Sequence, residues 1–538
     1  MQGKIFGWSS WALPSDWTPW GDRPSLYEYI QAHVEPGRQG LTEGGETLPD
    51  EDEDVKGIHW AAGAFDGAFG HHGGGASEAD TAQEILAALR AVLAKASRQN
   101  LERLYPLLAE NSALEYVDPL LEGIAADSEL DPERLRAVAR WIATRGADRN
   151  AVKAAMALLG LFPGEEDRGL LLTLGRHEEL TLYAAVALAN ALPAPDETLW
   201  ELGRNVQGWG RIQVVERLAK TRDPRIRRWL LVEGYRNSVM VEYTAAICAR
   251  AGGLRAELGT EEPAEEVLAS AGDLLVALIE GEEGPSEGIA SYEDGAAVTE
   301  HFLEHLRFRT RDLDHFLAVD RIRTFLMEEE IEWGALERFG WTPEHRERLL
   351  RACDEILARP GWKDLARQGL ASGDRDCFFT AARVAENLGL DPWEEYFRRL
   401  QEGDSVCWYH VMRTDDPERI DRVLALAQER IPLQEIATGP ADELGLGPGF
   451  AEHTNLDWIL QDLRRFPGRG WPLLRAGLRS PVVRNRNMAL QALAAWGRER
   501  WEPETEMLLR RALRDEPDEG VRERIEKVLA GRPLEEED

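Results

Sequence analysis

Asp and Glu outnumber Lys and Arg by 97 to 63 in this chain of 538 residues, and the net charge of −34 argues against general nucleic-acid binding, because an acidic surface repels phosphate backbones. The basic residues are 56 Arg and 7 Lys, while Cys248, Cys353, Cys377 and Cys407 stand far apart, without a Cys-x-x-Cys pair or a framework spacing. That argues against a zinc ribbon or a disulfide scaffold and predicts reduced, mostly buried thiols. No run approaches the ~18 apolar residues of a membrane span, and no apolar stretch follows Lys4 as in a signal peptide, so the expected location is cytoplasmic, away from any membrane.

Residues 1–80 read as an irregular segment rich in Trp, Gly and His. Trp8, Trp11, Trp17 and Trp20 crowd its start, Arg23 to Val34 predicts a short helix, and the acidic run Asp50 to Asp54 reads as solvated chain. Its aromatic content is too high for a chain that stays in water, so it is expected to fold back on the rest, sealing one end of the helical array.

Amphipathic helices dominate from residue 81. Leu135, Val138, Ala139 and Ile142 make one apolar stripe behind an Asp131-Pro132 start signal, and similar segments run through 81–280. The acidic, Gly- and Ser-rich stretch 281–296 reads as a linker. More helices follow over 297–436, a C-terminal set over 437–534 and an acidic tail over 535–538.

The C-terminal set shows the unit best. Trp471, Leu474 and Leu478 form one stripe, Ser480-Pro481 predicts an N-cap and first-turn proline, and Val482, Ala489, Leu493 and Trp496 form the next. Leu473-Leu474-Arg475 recurs as Leu508-Leu509-Arg510, 35 positions later, and Val483-Arg484-Asn485-Arg486 as Val521-Arg522-Glu523-Arg524, 38 later. A two-helix period of this size with an Asp/Ser-Pro turn and a following Arg resembles HEAT repeats, which implies an all-α, armadillo-like α-solenoid. More narrowly, Phe65 to His72, the loop Gly439 to Phe450, Leu456 to Leu460 and Ser480 to Leu490 are similar to an uncharacterised bacterial HEAT-repeat group, some of whose members carry the label limonene hydroxylase. The label implies an oxidative enzyme. No Cys here stands in a haem-binding context and no Gly-x-Gly-x-x-Gly follows a strand pattern, so the residues themselves do not carry that activity.

Three groups of side chains are candidate sites. His59, Asp66, His71 and His72, on a Gly-rich segment, could serve as a divalent metal set or as a general base with its orienting carboxylate; the rival reading is a structural cap. His301-Phe302-Leu303-Glu304-His305 matches the H-x-x-E-H pattern, which on a helix places both imidazoles on one face; the rival reading is a half-exposed repeat helix. Arg464, Arg465, Arg475, Arg479, Arg484 and Arg486 fall in a stretch, 464–498, that contains no acid, so a positive binding face competes with ion-pair ladders between repeats. His177-Glu178 is the one His-Glu step of the kind that HEAT-type di-iron hydroxylases repeat, and such a site needs several. The expected function is a scaffold that binds a protein or peptide partner, with no cofactor; a metal-dependent or general-base enzyme is the alternative.

Overall fold

The computed structural model describes residues 11–51, 61–64, 66–67, 79–284, 286–309 and 312–534. Among these the regular structure is helical, apart from an isolated parallel bridge between Glu443 and Val482. No helix among them is long and apolar enough to cross a membrane. The chain divides into two compact units, Met1–Arg359 and Pro360–Asp538.

The first unit is a row of helices, each packed on its neighbours in the series. Ala79–Ala94 packs on Ala113–Ala126, and the row continues through Arg149–Leu159, Glu178–Ala191, Trp209–Leu218, Glu242–Gly252, Glu265–Glu280, Leu313–Met327 and Pro343–Leu357. Intervening helices such as Pro132–Arg145, Arg168–Leu174 and Asp196–Gly203 pack against the same row. This nearest-neighbour stacking is the solenoid-like, all-α arrangement that the periodicity predicts. The Asp131 carboxylate accepts the Glu133 and Arg134 N–H groups, and Leu135, Val138, Ala139 and Ile142 are all buried. Each such aliphatic side chain contributes about 1.5–3 kcal/mol, apart from the smaller alanine. Asp223 caps Pro224–Trp229 in the same way, and that helix runs on into a π turn, Leu230–Gly234.

Residues 11–51 lie along the first helices. The Trp11 indole donates to the Val92 carbonyl at 3.0 Å, and Trp20 packs between Tyr105 and Trp141, with ring centroids 4.5 and 4.8 Å apart. Ser25 caps Leu26–Ala32 and donates to the Thr144 carbonyl at 2.8 Å. The stretch 281–296, expected as a linker, is packed into the first unit: Ile289 and Tyr292 are buried, and Glu282 accepts the Ala290 N–H at 3.0 Å.

In the second unit Trp362–Leu370 packs on Arg375–Asn387, and Cys407–Met412 packs on Trp393–Glu402, Pro417–Arg430 and Ala451–Leu463. Ala451–Leu463 in turn meets Trp471–Gly477 and Val483–Trp496, and the latter packs on Glu519–Leu529. Val482, Ala489, Leu493 and Trp496 are buried as the stripe requires. The cap differs. Val483–Trp496 starts two residues later than Ser480-Pro481 signals, because the bridge to Glu443 takes the Pro481 carbonyl, which accepts the Glu443 N–H at 3.3 Å, while Ser480 Oγ accepts from the Val482 N–H at 3.1 Å.

The repeat register also shifts. Arg486 donates back to the Ser480 and Pro481 carbonyls, both at 2.9 Å, and Arg522 donates back to Glu516 at 2.7 Å and Pro517 at 3.4 Å. Arg522, 36 positions after Arg486, is therefore its structural counterpart, in place of Arg524. The cysteines are free; Cys248, Cys353 and Cys407 are buried and Cys377 is exposed.

Candidate functional site

The sequence candidates separate in the structure. His59, His71 and His72 lie outside the described residues, whereas Asp66 is 4% exposed and bonds Lys153 Nζ at 2.6 Å. Lys153 comes from Arg149–Leu159 and also donates to Glu179 Oε1 at 2.5 Å, on Glu178–Ala191. The other oxygen of Glu179 accepts the Gly63 N–H at 2.8 Å. Two carboxylates thus share one ammonium, itself 3% exposed, and the ring of Tyr183 lies 5.5 Å from it. Burial raises Asp66 above the usual carboxylate range despite Lys153. For Glu179 burial acts in the same direction, but Lys153 and the Gly63 N–H outweigh it and leave that carboxyl low. A carboxylate committed to a buried ammonium is a tether, not a free base.

The neighbours extend the tether. His177 Nε2 faces the Glu46 carbonyl at 2.9 Å, its Nδ1 accepts the Glu179 N–H at 3.2 Å, and burial pushes the imidazole down to about 4. Arg149 holds Asp50 through its backbone N–H at 2.7 Å and its guanidinium at 3.1 Å, so Asp50 is part of the interface and not solvated chain. Glu178 accepts the N–H groups of Gln207, Gly208 and Gly210 at 2.6–2.8 Å and so caps Trp209–Leu218. His177-Glu178 is a helix-capping step.

On Gly295–Leu306, His305 Nε2 bonds the Leu258 carbonyl at 2.8 Å, His301 is half-buried and Glu304 is exposed. Among the described residues no group of three or more His, Cys, Asp and Glu side chains is placed to hold a metal ion.

The six arginines divide four ways. Arg486 is in the core: 1% exposed, it meets Glu516 through Nε at 2.9 Å and Nη2 at 2.7 Å. Arg484 pairs with buried Asp457, which also accepts from Asn485 Nδ2 at 2.6 Å. Arg475 and Arg479 border a hollow of about 460 Å³ beside Trp471. Arg464 and Arg465 line a larger cleft, about 790 Å³, together with Tyr409, Arg413, Met488 and Gln491. Its walls come from Cys407–Met412, Ala451–Leu463 and Val483–Trp496 and the turns after the first two.

Within that cleft Arg465 is held by the Thr414 carbonyl at 2.7 Å, Asp415 at 2.5 Å and Asp462 at 3.0 Å. Arg413 is exposed and donates to Tyr409 Oη at 2.9 Å, with no carboxylate in ion-pair range among the described residues. Tyr409 stands edge-on to Trp458 at 5.1 Å. The absence of acids over 464–498 pointed to this region, whereas Arg413 and Tyr409 lie outside that window and only the packing of consecutive helices brings them in.

Asp457 supplies a pH test. Burial pushes its carboxyl up to about 6 against the opposing pull of Arg484 and Asn485. A folded-state value above the unfolded one gives stability that is complete below the unfolded pKa and is lost as pH rises through about 6, a difference on the order of 2 kcal/mol by pH ~7.5. Asp457→Asn is therefore expected to raise the melting temperature at pH ~7.5 and to leave it nearly unchanged at pH ~4, since half-exposed Arg484 can turn to water. Equal shifts at both pH values in calorimetry would show that Asp457 is ionised throughout.

The described residues define an all-α chain whose helices stack on their neighbours in series. No family model matches the chain and no curated protein matches it. A solved structure described as the crystal structure of an engineered protein is similar at 17% identity, covering 83% of this chain and 98% of that one, with a TM-score of 0.22. A score that low carries no argument about fold or function.

Proposed function

We propose that this chain is a binding protein whose second unit holds an acidic peptide segment of a protein partner in the cleft lined by Arg413, Arg464 and Arg465. The observation that supports the reading is Arg413: in a chain of net charge −34, an exposed guanidinium borders a cleft of about 790 Å³, bonded to a phenol, with Glu386 near enough to act on it but no carboxylate in ion-pair range among the described residues. A guanidinium presents a fork of donors suited to carboxylates, and the Tyr409 ring and Met488 offer apolar contact to the side chains between them. The expected occupant alternates acids with apolar residues.

The test is fluorescence anisotropy with a labelled Glu- and Leu-containing peptide of about ten residues on the full chain. Binding is expected to weaken with salt, and the Arg413→Glu, Arg464→Glu double variant should lose at least about tenfold, the size of one charge-assisted contact. Arg465 is left in place because it ties Thr414 and Asp462 together. Equal binding of the acidic peptide and its Gln-substituted version would overturn the reading.

A further inference from the structure

Gly63, Ala64, Asp66 and Gly67 are held as a peptide ligand is held. Gly63 donates its N–H to Glu179 Oε2 at 2.8 Å, and Asp66 sets its carboxylate on Lys153 at 2.6 Å. Ala64 packs with Trp209 and Ile212, beside Val239 and Tyr243. The two glycines are required by space. Gly63 has φ +73°, and a Cβ there would lie 2.6 Å from the Glu178 carbonyl oxygen; one on Gly67 would lie 2.3 Å from the Trp209 ring. The receiving groups sit on three consecutive helices of the row, Arg149–Leu159, Glu178–Ala191 and Trp209–Leu218.

Each contact reads a specific chemical feature. The backbone N–H is read by a carboxylate, the side-chain acid by a buried ammonium, and the absence of side chains at Gly63 and Gly67 by a carbonyl and an indole face. Ordinary core packing rewards apolar volume; Gly63, Ala64, Asp66 and Gly67 offer little of it and are selected by charge and by smallness. We infer that the face formed by Lys153, Glu179 and Trp209 is a peptide-binding groove specific for Gly-x-x-Asp-Gly, occupied in this structure by the chain's own segment 61–67. A partner peptide of the same pattern would have to displace that segment, which competes at the high effective concentration of a tethered ligand.

The experiment compares the full chain with its Gly67→Val variant, which blocks the chain's own segment and leaves every groove residue in place. The probe is a fluorescein-labelled nonapeptide with the sequence of residues 61–69. It is expected to bind the variant at least about tenfold more tightly than the wild type, and the same peptide with Asn at the position of Asp66 is expected to lose about tenfold or more against the variant. Equal affinity for wild type and variant, with native helical circular dichroism in both, would overturn the inference. Gly63→Ala, whose added methyl is smaller, gives a second opened chain should Gly67→Val unfold. Loss of cooperative unfolding in both variants would show the segment to be core and would also overturn it.

Discussion

Replacing Lys153 with Met is expected to cost the first unit about 3–5 kcal/mol, the usual loss when a buried charge pair is broken from one side. Asp66 and Glu179 then lie buried without their ammonium. Asp66, already raised by burial, takes up a proton, while Glu179 keeps the Gly63 N–H and the distant Arg149 guanidinium, 4.0 Å away. Undocking of 61–67 limits the loss, since water then reaches Glu179. Two readouts separate the cases: a lower urea midpoint measures the energy, and faster chymotryptic cutting within 60–69 reports the undocking. Adding Asp66→Asn and Glu179→Gln to Lys153→Met should recover most of the midpoint, because no buried charge remains. An unchanged midpoint for Lys153→Met alone would show that water already reaches the cluster.

The second large effect is expected at Arg486. Its guanidinium satisfies both oxygens of Glu516, whose side chain is fully buried, and the Ser480 and Pro481 carbonyls, so it ties the turn before Val483–Trp496 to the turn before Glu519–Leu529. Arg486→Met should cost about 3–5 kcal/mol, and Arg486→Lys nearly as much, since one ammonium cannot reach four acceptors in a fork geometry. Adding Glu516→Leu to Arg486→Met should return part of the loss by removing the stranded carboxylate. A double variant less stable than Arg486→Met would locate the defect in the carbonyls and not in Glu516.

The helices were legible because each carries its apolar stripe on a 3.6-residue period and often its own cap, as Asp131 and Asp223 do. The docking of Trp20 was legible only in kind: an excess of indoles must be covered, but nothing local names Tyr105 and Trp141 as the cover. Asp66 was grouped with His59, His71 and His72, which lie outside the described residues. The partner that the described residues give it, Lys153, stands 87 positions away and was hidden inside an apolar helix. A charged residue amid Ala151-Val152 and Ala154-Ala155-Met156, and one of only 7 lysines, is the signal that local periodicity passes over.

Arg486 shows a different limit. A stretch without acids left a positive face and a ladder between repeats both open, and the acid that pairs with Arg486 lies 30 positions on, in the next repeat. Counting charges along the chain cannot separate a buried arginine from an exposed one. Asp415 and Asp462 likewise serve Arg465 from outside 464–498, and Arg413 becomes visible as the less-matched cation only once those pairs are drawn.

Docking of residues 11–51 and of Gly63 and Asp66 has a consequence for how the chain is made. These residues leave the ribosome before the groups that receive them: Val92 follows Trp11 by 81 positions, Thr144 follows Ser25 by 119, and His177 follows Glu46 by 131. At roughly 5–20 residues per second, a stretch bearing several tryptophans waits on the order of ten seconds before its resting place exists. Translation that stops short of Trp141 releases a polypeptide in which Trp20 still lacks half of its cover, and such truncated products are natural clients for chaperones and proteases.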